Sequence, residues 1–219
     1  MYKNIIWDLD GTLFDSYPEI ARAFLSALRD HGRSGDLLQI TVLAKVSLDH
    51  CCQKLSSTYD LPAKVIDEAF RKHYQQADYF AQRPFVGVRQ VCEYICGIGG
   101  SNVIVTHRAV EGTVGVLRAH NMDHLFRGWL TKGDGYPRKP DSAAFQVALE
   151  RYHLEREKTL GIGDSDVDVM AAKGAGMFAC QYGDKKMDVK ADLRVSDYAQ
   201  LMEWLLKENG GEKRGHSEF

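Results

Sequence analysis

The chain has 219 residues, 44% of them hydrophobic and 26% charged, with a formal net charge of −2. That is enough chain for a full core without staples, in one domain with an insert or in two small domains. A charge so close to neutral excludes a global field that would recruit nucleic acid or an anionic membrane, and neither partner is expected.

The first apolar run, Ile5-Ile6-Trp7, reads as a strand that ends on acidic residues at Asp8. It is too short for a signal-peptide core or a membrane span, so the chain is expected in the cytoplasm. From residue 15 to 83 the pattern turns helical with no intervening strand. Ser16 and Glu19 match a capping box, followed by a stripe of Ile20, Ala23, Phe24, Ala27 and Leu28. Leu48, Cys51, Cys52 and Leu55 form a second stripe, and Val65, Ile66, Ala69, Phe70, His73 and Tyr74 a third, just after Pro62. These residues form an inserted helical module, a cap, and the linker Arg83–Val88 leads back to the main domain.

Strands and helices then alternate. Val103-Ile104-Val105, Leu160-Gly161-Ile162, Met177–Cys180 and Leu193–Val195 read as strands. Helices are expected around Val88–Ile95, Val110–Leu117, Phe145–Tyr152 (with Asp141 as N-cap), Val167–Ala171 and Tyr198–Leu205. The fold class is therefore α/β, a Rossmann-like, mainly parallel sheet with an inserted α-helical cap. The core covers residues 1–14 and 84–208, the cap 15–83, and 209–219 is a polar, glycine-rich tail without function. The five cysteines at 51, 52, 92, 96 and 180 follow no disulfide framework, and Cys92 and Cys96, four apart on a helix face, read as buried core thiols rather than the seed of a metal site.

Ligands of open parallel sheets sit at the carboxyl ends of the strands. Asp8, Thr106 and Asp164 all stand at such ends, so three distant polar positions are expected to converge. Asp8 and Asp10 are two apart and can face one pocket as the chain leaves its strand. Gly11 permits a tight turn, whose exposed N–H groups, Leu9 and Gly11 among them, can cradle phosphate oxygens. Two carboxylates so close repel unless one is protonated or a cation lies between them. Mg²⁺, a hard ion that takes a few carboxylates plus substrate oxygens, fits. Asp8 is then the nucleophile that forms an aspartyl-phosphate, and Asp10 the acid and base that serves the leaving alcohol and the attacking water.

The run Asp8-Leu9-Asp10-Gly11-Thr12-Leu13-Phe14-Asp15-Ser16 resembles the first motif of the haloacid dehalogenase superfamily. Val103-Ile104-Val105-Thr106 is similar to its second motif, Arg138-Lys139-Pro140-Asp141 to its third, and Gly161-Ile162-Gly163-Asp164-Ser165-Asp166-Val167-Asp168 to its fourth, in the family's order. The resemblance implies that Thr106 and Lys139 join Asp8 and Asp10 in catalysis. It also implies a phosphate site of Leu9, Gly11, Thr106, His107 and Lys139. The metal site would consist of Asp8, Asp10 through its carbonyl, Asp164 and Asp168, the last holding a metal-bound water or fixing Lys139. Asp166 is expected on the surface. Arg108 is a candidate contact for the phosphate or for a substrate carboxylate.

Dehalogenases and phosphonate hydrolases of this superfamily generally lack the second acid, so Asp10 points to a phosphate monoester of a small metabolite. A phosphomutase of the β-phosphoglucomutase type is the alternative, although many of these carry Glu where this chain has Gly163. A non-catalytic Mg²⁺-binding or phospho-acceptor module is another. Substrate identity is expected in the cap, where Lys45, His50, Arg71 and Lys72 are polar. Oligomeric state is left open, a monomer being compatible.

Overall fold

The computed structural model describes residues 1–210. The chain divides into two compact units, Met1–Leu13 with Pro84 onward, and Phe14–Arg83. The strands are β1 (Asn4–Trp7), β2 (Phe14–Asp15), β3 (Arg83–Pro84), β4 (Ser101–Val105), β5 (Gly128–Leu130), β6 (Thr159–Gly163), β7 (Phe178–Tyr182) and β8 (Leu193–Val195). The helices are α1 (Tyr17–Asp30), α2 (Leu37–Val46), α3 (Leu48–Tyr59), α4 (Ala63–Tyr74), α5 (Val88–Gly97), α6 (Val110–Ala119), α7 (Ala143–Arg151), α8 (Asp166–Gly174) and α9 (Tyr198–Gly210). No helix among the described residues is long and apolar enough to cross a membrane.

The first unit is built on a six-stranded sheet in the order β5-β4-β1-β6-β7-β8, with every pair parallel. Parallel strands covered on both faces read as unbroken apolar runs, and Ile5, Ile6 and Trp7 are fully buried. Burying an aliphatic side chain this completely stabilises by about 1.5–3 kcal/mol. One face packs Ile6, Val103 and Val105 against Phe145, Ala148, Val169 and Ala172. The Trp7 indole N–H donates to Asn102 Oδ1 at 2.9 Å, and the Asn102 amide donates on to the carbonyls of Cys92 and Leu125 at 3.0 and 3.1 Å. A buried amide is tolerated only when its polar atoms are paired in this way.

The strand order reverses at β1, with β4 on one side and β6 on the other. Trp7 lies level with both Ile104 and Ile162. The three strands therefore end within about one residue of each other, a switch point where open α/β sheets bind ligands.

The second unit is a group of four helices with its own core of Ile20, Phe24, Leu28, Ile40, Cys51, Leu55, Ile66 and Phe70. The Phe24 and Phe70 rings stack with centroids 4.0 Å apart. Truncating either to Ala would cost about 3–5 kcal/mol.

Several local expectations are corrected. Ser16 stands at the N-cap of α1 in the helical region, with no side-chain cap bond, because its N–H is drawn back to the Phe14 carbonyl at 3.0 Å. A capping side chain needs an extended backbone there. Glu19 pairs with Arg22 rather than reaching back. Ser142, not Asp141, is the N-cap of α7, although Asp141 Oδ1 accepts the Ala143 N–H at 2.8 Å. Cys96 is exposed, while the other four thiols are buried. Asp166 is half-buried, because its Oδ1 accepts the Val189 N–H at 2.9 Å. Residues 209 and 210 belong to α9, where the Asn209 amide pairs with both backbone groups of Tyr2 at 2.8 and 2.9 Å. The rest of the expected tail, 211–219, lies outside the described residues. Helix α2 and strands β2, β3 and β5 were not anticipated.

Candidate active site

Asp8 is the first residue beyond β1, and its N–H donates to the Ile162 carbonyl of β6 at 2.9 Å. This bond extends the strand pairing by one residue and fixes where the side chain leaves the sheet. The Asp8 carboxylate is buried. Its Oδ2 accepts from Thr12 Oγ1 at 3.2 Å and its Oδ1 from Lys139 Nζ at 2.5 Å. The turn after it closes on the Leu9 carbonyl, which accepts the Leu13 N–H at 3.0 Å. Gly11 takes φ +84°, a conformation open to glycine at no steric cost.

Lys139 crosses 131 residues of sequence to reach Asp8 and is itself buried. Its Nζ also lies 2.6 Å from Asp168 Oδ1 and 3.3 Å from the Val105 carbonyl. Asp168 is held from its other side. Ser165 caps α8 through a reciprocal box, and Asp168 Oδ2 accepts the Ser165 N–H at 3.2 Å together with its hydroxyl. The lysine loop, β1 and the start of α8 thus meet through one ammonium group.

Gly163 explains the closeness of this packing. A Cβ built on it would lie 2.2 Å from the Asp168 Cβ and 2.4 Å from its Cγ, far inside van der Waals contact. Asp168 occupies the room that glycine leaves.

Carboxylate oxygens of Asp8, Asp164 and Asp168 lie within 4.8 Å of one another. Burial pushes the Asp8 carboxyl well above the usual carboxylate range. Lys139 opposes this, and the neighbouring Asp168 and Asp164 reinforce it. Burial alone would depress Lys139, but Asp168 and Asp8 outweigh it and hold the ammonium above its ordinary range. With all three carboxylates ionised, the set would carry −2 against one ammonium, a charge that one divalent cation would cancel. An all-oxygen donor set also matches a hard cation. Asp168 is held by Lys139 and Ser165 and Asp8 by Lys139 and Thr12, so a cation here would share these carboxylates with their present partners.

Thr106 stands one residue past β4, with its N–H on the Leu130 carbonyl at 3.0 Å. Its Oγ1 accepts the Arg108 N–H at 3.1 Å and keeps its own hydrogen to donate. The imidazole of His107, expected among phosphate-binding groups, accepts the Lys139 backbone N–H on Nε2 at 2.9 Å. Burial, with Lys139 and Arg138 nearby, lowers its pKa to about 4 and keeps it neutral at physiological pH. Arg108 is buried, and its Nη2 lies 2.9 Å from Asp10 Oδ1. Asp10 is thereby tied to the loop after β4. Sequence reasoning assigned no role to Thr12 or Ser165, though each lies within four residues of the carboxylate it holds, a spacing that marks local side-chain bonds. Of the polar cap candidates, Lys45 lies over the Tyr17 ring at 5.6 Å, and Arg71 pairs with Asp67 at 2.8 Å.

A family model described as haloacid dehalogenase-like hydrolase matches residues 5–181, from β1 to near the end of β7. The chain belongs to the haloacid dehalogenase-like hydrolases. Among curated relatives, phosphoglycolate phosphatase of Aliivibrio fischeri is 30% identical, over 83% of this chain and 85% of its own length. Phosphoglycolate phosphatase of Vibrio cholerae is 28% identical, over 93% of this chain and 97% of its own length. The solved structure of a predicted phosphoglycolate phosphatase from Haemophilus somnus superposes with a TM-score of 0.79 at 24% identity, covering 93% of this chain and 97% of the other. As a haloacid dehalogenase-like hydrolase, the chain is an enzyme, a phosphoric monoester hydrolase.

Proposed function

We propose that this hydrolase is a Mg²⁺-dependent phosphatase that removes phosphate from a small metabolite through an aspartyl-phosphate on Asp8. The observation that carries the reading is the buried contact of Lys139 Nζ with Asp8 at 2.5 Å and Asp168 at 2.6 Å. It brings a cation to the one carboxylate that must approach a phosphate dianion. Mg²⁺, held by Asp8 and Asp164 with the carbonyl of Asp10, would screen that approach and polarise the phosphoryl oxygens.

The chain's own residues supply the remaining chemistry. An Asp8 carboxylate oxygen attacks phosphorus, the bond from phosphorus to the leaving oxygen breaks, and Asp10 gives that oxygen a proton. Water then attacks the aspartyl-phosphate, Asp10 takes the water's proton, and the Asp8 carboxylate is restored. Thr106 and the N–H groups of Leu9, Gly11 and His107 receive the phosphoryl oxygens. Lys139 neutralises charge on the nucleophile and on the group in flight.

Relatives named phosphoglycolate phosphatase make phosphoglycolate the first substrate to assay. The mutase alternative is not favoured. A Glu at position 163, found in many mutases, would drive into Asp168.

The test is phosphate release from a panel of phosphorylated metabolites, phosphoglycolate included, with Mg²⁺ and with chelator. Turnover is expected only with the metal, and Asp8→Asn should abolish it while the fold persists. A fully active Asp8→Asn variant would remove Asp8 as nucleophile, and stoichiometric labelling without turnover would indicate a phospho-acceptor module.

A further inference from the structure

We propose that His107 is a positioning residue, a strut between the loop after β4 and the loop carrying Lys139, which sets where the lysine ammonium stands. The proposal rests on the roles of Asp8 and Lys139 given above, and it adds a residue that acts through the lysine.

A lysine side chain carries about 2 kcal/mol of rotamer entropy, so its ammonium is placed reproducibly only from a fixed backbone. The Lys139 N–H donates to His107 Nε2 at 2.9 Å, while its Nζ holds Asp8 and Asp168. The next residue, Pro140, has no N–H to contribute. The His107 end of the strut is itself fixed. The Thr106 N–H is on the Leu130 carbonyl at 3.0 Å, the Arg108 N–H is on Thr106 Oγ1 at 3.1 Å, and the Lys132 N–H is on the Arg108 carbonyl at 3.0 Å.

The chemistry of the bond defines the role. To accept an amide hydrogen on Nε2, the ring must be neutral with its proton on Nδ1. Burial, with Lys139 and Arg138 alongside and outweighing Asp168, supplies that neutrality. An Nε2 that accepts from an amide has no hydrogen to give a phosphoryl oxygen. The imidazole therefore acts on the lysine loop and not on the phosphate.

The experiment reads the strut directly and then its consequence. In the full ¹⁵N-labelled chain, a scalar coupling across the hydrogen bond should link the Lys139 amide nitrogen with His107 Nε2. Its absence from the folded wild type overturns the proposal. His107→Ala should lower kcat by about 10- to 100-fold, as loss of an orienting partner does, with KM little changed. His107→Gln, whose Oε1 accepts at similar reach, should recover most of the rate. An Ala variant within about twofold of wild type, a loss confined to KM, or a Gln variant no better than Ala would also overturn it. The coupling is readable without turnover, so a present coupling beside an active Asp8→Asn variant would sink the phosphatase mechanism and leave the strut standing.

Discussion

Arg108 Nη2 lies 2.9 Å from Asp10 Oδ1, and the guanidinium is buried while the carboxylate is partly open. The arginine is anchored by its own backbone, through its N–H to Thr106 and its carbonyl to Lys132. It therefore fixes the direction of the second acid from a rigid loop. If Asp10 protonates the leaving oxygen, loss of Arg108 should carry the same signature as loss of Asp10. Arg108→Ala should slow alkyl phosphates more than activated aryl phosphates, by up to the roughly 10²–10⁴-fold that a general acid contributes. Adding Arg108→Ala to Asp10→Asn should then cost little more. Equal losses on both substrate classes, or full additivity in the double variant, would separate the arginine from the acid.

Gly163 supplies a second test. Its missing Cβ is the space in which Asp168 packs, with a clearance of only 2.2 Å to a hypothetical methyl group. Gly163→Ala should displace Asp168, loosen Lys139 and lower stability by about 1–3 kcal/mol, as overpacking does. Activity should fall further than stability at a temperature where the variant remains folded. Chemical denaturation beside initial rates checks this, and an Ala variant with unchanged rate and midpoint would contradict the packing argument.

The thiols give a check on the fold that is independent of catalysis. Burial pushes Cys51 up to about 12 and Cys52 up to about 11, and raises Cys92 and Cys180 as well. The thiolate is the reactive form, so these four should be inert in the native chain. Cys96 is exposed on α5 and should alone react quickly with an aromatic disulfide reagent, the remaining thiols following only in denaturant. Two or more fast thiols under native conditions would contradict the packing of α3, α5 or β7.

How much of this was legible follows from where each signal resides. Asp8, Thr106 and Asp164 end apolar runs, and a parallel sheet brings such ends together, so their convergence could be read before any coordinates. Lys139 had no such local mark and was found through Pro140 and motif order. Helix α2 escaped because its apolar residues lie on both faces. Ile40 and Ala44 are buried while Leu38, Val42 and Val46 are exposed, so no stripe forms. Its start was nonetheless marked by Asp36, whose side chain accepts the Gln39 N–H at 2.7 Å. Strand β5 has three residues, too few for a period to show. The bonds of Arg108 to Asp10 and of His107 to Lys139 depend on loops closing in space, and no spacing along the chain encodes that.

The acidic cluster makes the stability of the chain depend on both metal and pH. Burial holds the folded Asp8 carboxyl well above its ordinary range, so between the two values the folded chain binds the proton that the unfolded chain has released. The stabilisation this group provides is therefore complete below the ordinary carboxylate pKa of about 4 and is lost as pH rises through the folded value. Above the folded value the metal-free chain bears the cost of charges packed together. Mg²⁺ at about 100 times its Kd should restore about 2.7 kcal/mol, or roughly 5–10 °C in Tm for a chain of this size. The increment should shrink as pH falls, since a protonated carboxyl does not ligate. Asp8→Asn should make the metal-free chain more stable at neutral pH and flatten its pH dependence. Thermal melts of both proteins across pH, with Mg²⁺ and with chelator, decide the matter. A metal-free Asp8→Asn variant that melts below wild type at neutral pH would show that Asp8 rests comfortably among its neighbours and that the cluster has no need of a cation.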